Sequence, residues 1–525
     1  MSWVVGLTLA ACAIAAGAAL LLWPEPRVES DAEALAHVVQ PGYAGSVSSI
    51  VVRRSDGTIV PVAVRHGRLW PERKLAVGEQ LTVELAVRRP GWAGWLVGRT
   101  AKATLGIRTP SARLVGRWLE VRPGEPLVAT FDAPVRTVAL RVHGQPRMLH
   151  FTRARTTVAL GPVQPGQRSG RISIGAVPRV WERIPKPSRL TWFPARPQAQ
   201  ALVEPAAGTA LDPDRAITLT FSRPVRTIFG TRLPTVTPSV PGRWRLLDTH
   251  TLTFRPRGLG YPLSGHLAVH LPVRVGLAQA AGSGNIGSLE WDVRHGTVLR
   301  LEQLLAQAGY LPLLWSPADP AAPTARSELA ATAEPPAGRF RWRYENTPHE
   351  LHALWRTGKW NAIVRGAVMM FEDTHHLDVD GFVGPKVWGA LLADTLAGRK
   401  RTDGYSYVYV HREVPQSLTL WHDGKTVLRS PGNTGVPAAP TQLGTFPVFE
   451  HIPIGTMSGT NPDGSHYHDP GIRWISYFNH GDAIHAFNRS SFGTPQSLGC
   501  VELPLASAAR VWPYTPIGVL VTVEN

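Results

Sequence analysis

From residue 31 to 295 the chain alternates apolar and polar positions in short runs, the two-residue period of strands with one buried face. Val51-Val52-Arg53-Arg54-Ser55-Asp56-Gly57-Thr58-Ile59-Val60 reads as strand, Asp-Gly hairpin turn and strand. Between 298 and 395 the spacing becomes helical. There Thr347-Pro348-His349-Glu350 reads as a capping box with proline at the first helical position, and Gly358 as the end of that helix. Asn361 reads as the next N-cap, followed by Ile363, Ala367, Val368 and Phe371 at helical spacing. Asp378-Val379-Asp380-Gly381-Phe382-Val383-Gly384-Pro385-Lys386-Val387-Trp388 reads as a turn into a third helix, and the Ala- and Pro-rich stretch 317–338 as a linker. Alternation then returns at 405–410 and 417–421. His422-Asp423-Gly424-Lys425 makes a hairpin turn, and a closing strand runs over 518–523.

One segment has neither period. Residues 4–22 are uncharged, rich in Ala, Leu and Val, and flanked by Trp3 and Trp23, about what spans a bilayer as a helix with indoles at the interface. A cleaved signal peptide would have a shorter apolar core and a basic start. Leu9-Ala10-Ala11-Cys12 resembles a lipoprotein processing box, but the apolar run continues ten residues beyond Cys12. An uncleaved anchor over residues 1–23 fits best. The expected location is the cell envelope, with the C-terminal part outside, or secretion if the segment is cleaved.

A chain of 525 residues exceeds what one core supports. Its 47 prolines, 50 glycines and 18% charged residues suit short strands and many turns. The net charge of +17 is uneven: residues 402–525 hold six Lys+Arg and nine Asp+Glu, leaving about +20 for the rest. That distribution suggests attraction to anionic wall polymers or lipid headgroups. Nucleic acid is disfavoured, because the arginines are scattered through strand-like segments and no binding motif occurs.

Phe131-Asp132-Ala133-Pro134-Val135-Arg136-Thr137 recurs as Phe221-Ser222-Arg223-Pro224-Val225-Arg226-Thr227, each copy after an apolar alternating run. A repeat of about 90 residues in short strands has the size of an immunoglobulin-like sandwich, and the segments resemble bacterial Ig-like modules. The expectation is three tandem all-β modules over 31–110, 111–195 and 196–297. The Asp380-Gly381-x-x-Gly384-Pro385-x-x-Trp388 run resembles the peptidoglycan-binding domain type 1, implying a small three-helix module over 298–395.

Of two cysteines, Cys12 lies in the apolar stretch and Cys500 stands alone in the remainder, fifteen residues after His485. A lone thiol in an oxidising compartment, with a histidine nearby, is a candidate nucleophile with its base. His485…Ser497-x-Gly499-Cys500-Val501, after Pro440-Thr441-Gln442-Leu443-Gly444-Thr445-Phe446, resembles the YkuD-type L,D-transpeptidase catalytic domain over 402–525. The resemblance implies a mostly-β domain in which Cys500 attacks the third residue of a peptidoglycan stem peptide, expels D-Ala and passes the acyl group to a second stem, giving a 3→3 cross-link. It implies that His485 moves the protons, that Gly499 permits close backbone approach, that amides near Gly499 and Cys500 hold the oxyanion, and that Ser497 shapes the loop. Tyr467 is carried over as a substrate contact. A carbapenem would acylate Cys500. No cofactor or metal is implied.

Leu498 stands where the family usually has histidine, and Glu502 where it often has Arg or Asn. Glu502 would raise the thiol pKa. Those departures keep an impaired wall-binding scaffold, and an L,D-carboxypeptidase, as alternatives. His466 and His468 fall in a turn-rich segment read as a lid, and Arg473 and Arg489 suit a stem carboxylate, although a surface ion pair is the blander role for each. The order of Cys and His excludes NlpC/P60-type peptidases, and the Ser-x-Gly-Cys run does not suit a sortase.

Overall fold

The computed structural model describes residues 17, 23–122, 124–142, 145–162, 169–279 and 284–525. Cys12 and, apart from Gly17 and Trp23, the expected anchor lie outside the described residues. Among the described residues no helix is long and apolar enough to cross a membrane. The chain forms two compact units. One comprises residues 1–202, 220–228 and 275–285, the other 203–219, 229–274 and 286–525. The expected module at 196–297 is therefore divided between them.

In the first unit, two four-stranded sheets share one core that includes Leu35, Val52, Leu69, Leu81, Val83 and Leu85. The Asp-Gly turn forms as read, with Gly57 at φ +86°. Residues 114–194 build one six-stranded sheet that contains a parallel pair, Trp118–Val121 with Ser188–Pro194, where two facing sheets were expected. Its strand Pro126–Val142 carries three register shifts, and one of them spans Thr130/Val135, the first copy of the repeat. A bulge bends a strand locally, so one long strand pairs with different partners along its length. The second copy ends its strand at Phe221 and enters the short helix Val225–Phe229. The same motif thus closes two different local structures.

The second unit holds the helical segment and the C-terminal sheets. Helix Ala362–Thr374 starts as read, with Asn361 Oδ1 accepting from the Val364 amide at 3.1 Å. Pro385 opens helix Pro385–Ala397, Gly381 takes φ +69°, and Trp388 is buried. The expected capping box does not form: the Thr347 hydroxyl donates to the Tyr344 carbonyl at 2.7 Å, and helix His349–Leu354 ends before Gly358. The expected linker is ordered. It contains helix Ala325–Ala333, capped by Thr324 and Ser327, between the paired strands Leu313–Pro317 and Gly338–Trp342. A buried Arg300–Glu328 ion pair ties that helix to helix Val298–Gln307.

Numbering the C-terminal strands from their first, β1 (Ser406–His411), β2 (Ser417–His422), β3 (Lys425–Pro431), β4 (Gly444–Pro447) and β9 (Leu520–Glu524) form a sheet of order β3-β2-β1-β9-β4. A second sheet, β5-β6-β7-β8, joins β5 (Glu450–Thr460), β6 (His466–Asn479), β7 (Asp482–Ala486) and β8 (Val501–Leu503). Tyr407, Val408 and Leu420 of the first sheet and Phe478, Ile484 and Val501 of the second belong to one core. Helix Ala362–Thr374 enters the same core. A Cβ on its Gly366 would lie 2.5 Å from the Gly518 carbonyl oxygen, so the backbones touch there. The helical module and the C-terminal sheets are packed as one body rather than as beads on a linker.

Candidate active site

Strands β7 and β8 run parallel, with Ile484 opposite Val501, His485 opposite Glu502 and Ala486 opposite Leu503. Side chains alternate between faces. Cys500, two residues before Glu502, therefore stands on the His485 face of the sheet, just ahead of β8. The fifteen-residue separation in sequence is the loop that connects two adjacent strands.

Cys500 is half-buried. Its sulfur packs with Ile472, Ile475 and Ala483, and its thiol donates to the Gly481 carbonyl at 3.5 Å. Burial pushes the thiol up to about 12. The Ala483 amide opposes that shift, and the carboxylates of Asp482 and Glu502 add to it. His485 is 3% exposed, and its Nδ1–H donates to the Ala486 carbonyl at 3.0 Å. That bond fixes the tautomer and leaves Nε2 with its lone pair. Burial holds His485 below its ordinary pKa, so the imidazole is a neutral base. Burial thus disfavours the charged form of both groups, thiolate and imidazolium alike.

The turn before Cys500 is held by Ser497, whose hydroxyl donates to the Cys500 carbonyl at 2.6 Å and accepts from the Gly499 amide at 3.3 Å. The Gly499 amide, expected as one of the oxyanion donors, is engaged by that hydroxyl. Gly499 has φ +118°, and a Cβ on it would lie 2.3 Å from Asp482 Oδ1. The glycine is required by that backbone conformation and by a neighbouring carboxylate, rather than by the open approach path expected for substrate.

Glu502 is 3% exposed and is gripped by Arg489, Nε to Oε2 at 2.8 Å and a terminal nitrogen to Oε1 at 2.6 Å. The same guanidinium donates to the Gln496 carbonyl at 3.1 Å and stacks over Phe487. Arg489, expected to face a stem carboxylate, holds a carboxylate of its own chain instead. Its charge also tempers the effect of Glu502 on the thiol. Arg473 is exposed and lines a cleft of about 830 Å³ with Asp469, Phe487, Asn488, Phe492 and Leu505. Ile472 and Phe487 belong both to the cleft wall and to the cluster around Cys500.

Tyr467, on β6, is pushed above its ordinary pKa chiefly by burial. The segment read as a lid is part of a strand pair. Residues 461–465 make the turn of a long hairpin, while His466 and His468 sit on β6 opposite Thr460 and Ser458. Cross-strand pairing extends the sheet through a segment whose glycines and polar residues read as loop.

Three residues escaped the sequence reading. Asp482, three positions before His485, accepts from the Gln442 amide at 3.4 Å and from Asn479 Nδ2 at 3.3 Å, and burial raises its pKa. Asn433 is fully buried, accepts from the Gly493 amide at 2.9 Å and exchanges backbone bonds with Glu502 at 3.0 Å. Tyr477 packs in the Cys500 cluster and stacks on Phe449. For Asp482 the only signal was an acid close before the histidine. Asn433 and Tyr477 gave none.

Residues 405–523 match the L,D-transpeptidase catalytic domain family, YkuD. The match covers the two C-terminal sheets and the whole Cys500 site. Similar solved structures include the catalytic domain of an L,D-transpeptidase from E. faecium (26% identity, 22% of this chain and 95% of that chain, TM-score 0.21). Others are an L,D-transpeptidase from Mycobacterium smegmatis (13%, 62% and 99%, 0.21) and L,D-transpeptidase 3 from Mycobacterium tuberculosis (12%, 62% and 98%, 0.22). No curated protein matches the chain.

Proposed function

We propose that this chain is an envelope L,D-transpeptidase that forms 3→3 cross-links between peptidoglycan stem peptides through an acyl-enzyme on Cys500. The supporting observation is the placement of Cys500 and a tautomer-fixed, neutral His485 on one sheet face within the domain that matches the family. As the sulfur attacks the carbonyl carbon of the third stem residue, His485 Nε2 takes the thiol proton. The imidazolium returns that proton to the departing amine, and D-Ala leaves. A side-chain amine of a second stem then attacks the thioester, losing its proton to His485 and restoring the thiol. With the thiol pushed up to about 12, base-assisted attack fits better than a standing thiolate. Arg473, in the cleft beside the site, suits a stem carboxylate, and Tyr467 a polar contact near the scissile carbonyl.

A second reading is a wall-binding scaffold with little turnover, favoured by the high thiol pKa and by Leu498 in place of a second histidine. Mass spectrometry of the full chain with purified disaccharide-tetrapeptide, run beside Cys500→Ala and His485→Ala, separates them. The expected product is two stems less one D-Ala, absent with either variant, and a carbapenem is expected to add covalently at Cys500. D-Ala release without a dimer would mean carboxypeptidase. Neither product nor adduct would favour the scaffold, and full activity of Cys500→Ala would overturn the mechanism.

A further inference from the structure

The first β unit carries an apolar protrusion unrelated to the chemistry at Cys500. Helix Gly91–Val97 lies between the strands Gln80–Arg88 and Thr100–Arg108. Ala93 and Gly94 face the protein and are buried. Trp92 and Trp95, three residues apart and so on neighbouring positions of one helix face, are 68% and 78% exposed. Indoles are large, and two of them presented together to water on a short helix mark an interaction surface.

The chain itself indicates what covers them. Trp23, the residue that follows the uncharged run 4–22, packs edge-on against Trp92 at 5.4 Å. Two residues on, Glu25 pairs with Arg89 at 2.6 Å, at the foot of the same helix. The point where the apolar run gives way to polar sequence is therefore pinned to the exposed tryptophans. Arg88 and Arg99 flank the helix and are exposed. Tryptophans at a polar–apolar boundary, ringed by arginines, match the headgroup layer of an anionic bilayer, where the indole ring is apolar and its N–H wet.

We propose that helix Gly91–Val97 is an interfacial foot: Trp92 and Trp95 enter the headgroup region of an anionic membrane, beside the point where the apolar run 4–22 ends. A single apolar segment leaves the domain that follows it free to swing. A second, shallow contact of this kind would hold the first β unit against the surface.

The test uses the full chain in nanodiscs of phosphatidylglycerol, in a Cys12→Ser/Cys500→Ser background. An environment-sensitive nitrobenzoxadiazole dye is attached through Trp95→Cys, and in a parallel sample through Val180→Cys, an exposed position of the same unit. The expected result is blue-shifted emission at 95 and several-fold stronger quenching by brominated lipid than at 180. Arg88→Glu/Arg99→Glu, or a change to phosphatidylcholine, is expected to weaken that quenching. Water-like emission at 95, equal to that at 180, would overturn the proposal. So would a blue shift that grows with protein density and is untouched by brominated lipid, since that places a second copy of the chain on the tryptophans.

Discussion

Two regions of the second unit bury carboxylates and treat them in opposite ways. In the helical module, Glu302 and Glu372 are 0% and 1% exposed. Each offers one oxygen to the amide of a tight-turn glycine, Gly358 at 2.7 Å and Gly381 at 2.9 Å. Desolvation pushes both up to about 7. Near Cys500, Glu502 is also buried but meets the fork of Arg489. The first arrangement holds a turn with an acid that sheds its charge easily. The second pairs a buried acid near the Cys500 thiol with a cation. Burial alone therefore does not tell which carboxylate belongs to chemistry; the partner does.

The largest effect should come from removing that partner. Arg489→Met leaves Glu502 buried without its cation, a change that typically costs about 3–5 kcal/mol. Arg489 is 31% exposed, which sets the expectation near the low end of that range. Alkylation of Cys500 by iodoacetamide should also need a higher pH, because an uncancelled carboxylate disfavours the thiolate. The double variant Arg489→Met/Glu502→Leu should recover most of the stability. If the single variant unfolds no more readily than the parent, the pair is ornamental and the contrast between the regions collapses.

The next test concerns the helical module. A carboxyl group near 7 when folded and near 4.5 when unfolded binds more protons in the folded chain between those values. Its contribution is full below about 4.5 and is lost as pH rises through about 7, at most about 3 kcal/mol per group. Glu302→Gln/Glu372→Gln keeps an acceptor for each glycine amide and removes the titration. The stability of this variant should fall less than the parent's from about pH 4 to about pH 8, and be higher than the parent's at the alkaline end. A parent whose melting temperature does not fall over that interval would contradict the prediction.

The legible part of this site was local. His485, Ser497 and Cys500 lie within sixteen residues, and their spacing already encodes a strand, a loop and a second strand. The same holds for Asn361 and the Gly384-Pro385 helix start, where a cap acts over three residues. What stayed hidden depends on distant segments or on backbone conformation. Arg489 reads as an ion-pair or substrate-contact residue with no partner named until β8 brings Glu502 to it. Helix Ala325–Ala333 hides in an Ala- and Pro-rich stretch because its anchor, Arg300, lies 28 residues from Glu328. The strand within 464–469 was hidden because pairing with β5 outweighs local turn chemistry.

Asp482 gives the smallest predicted effect and the finest test of the contrast. Unlike Glu502 it meets no guanidinium among the described residues: its Oδ2 accepts from the Gln442 amide and the Asn479 side chain, and its Oδ1 fills the space a Gly499 Cβ would occupy. It is the stronger of the two carboxylates raising the Cys500 pKa. Asp482→Asn preserves shape and an acceptor while deleting the charge, so the pH profile of Cys500 alkylation should move to lower pH by about one unit or less. Gly499→Ala is the matched steric control: it strains φ +118° and displaces the carboxylate, so it should impair folding of the loop rather than shift the profile. An unmoved profile in Asp482→Asn would mean that Asp482 only packs the turn. A shift would mean that this uncompensated acid helps hold the thiol protonated until substrate arrives, the opposite of what Arg489 does for Glu502.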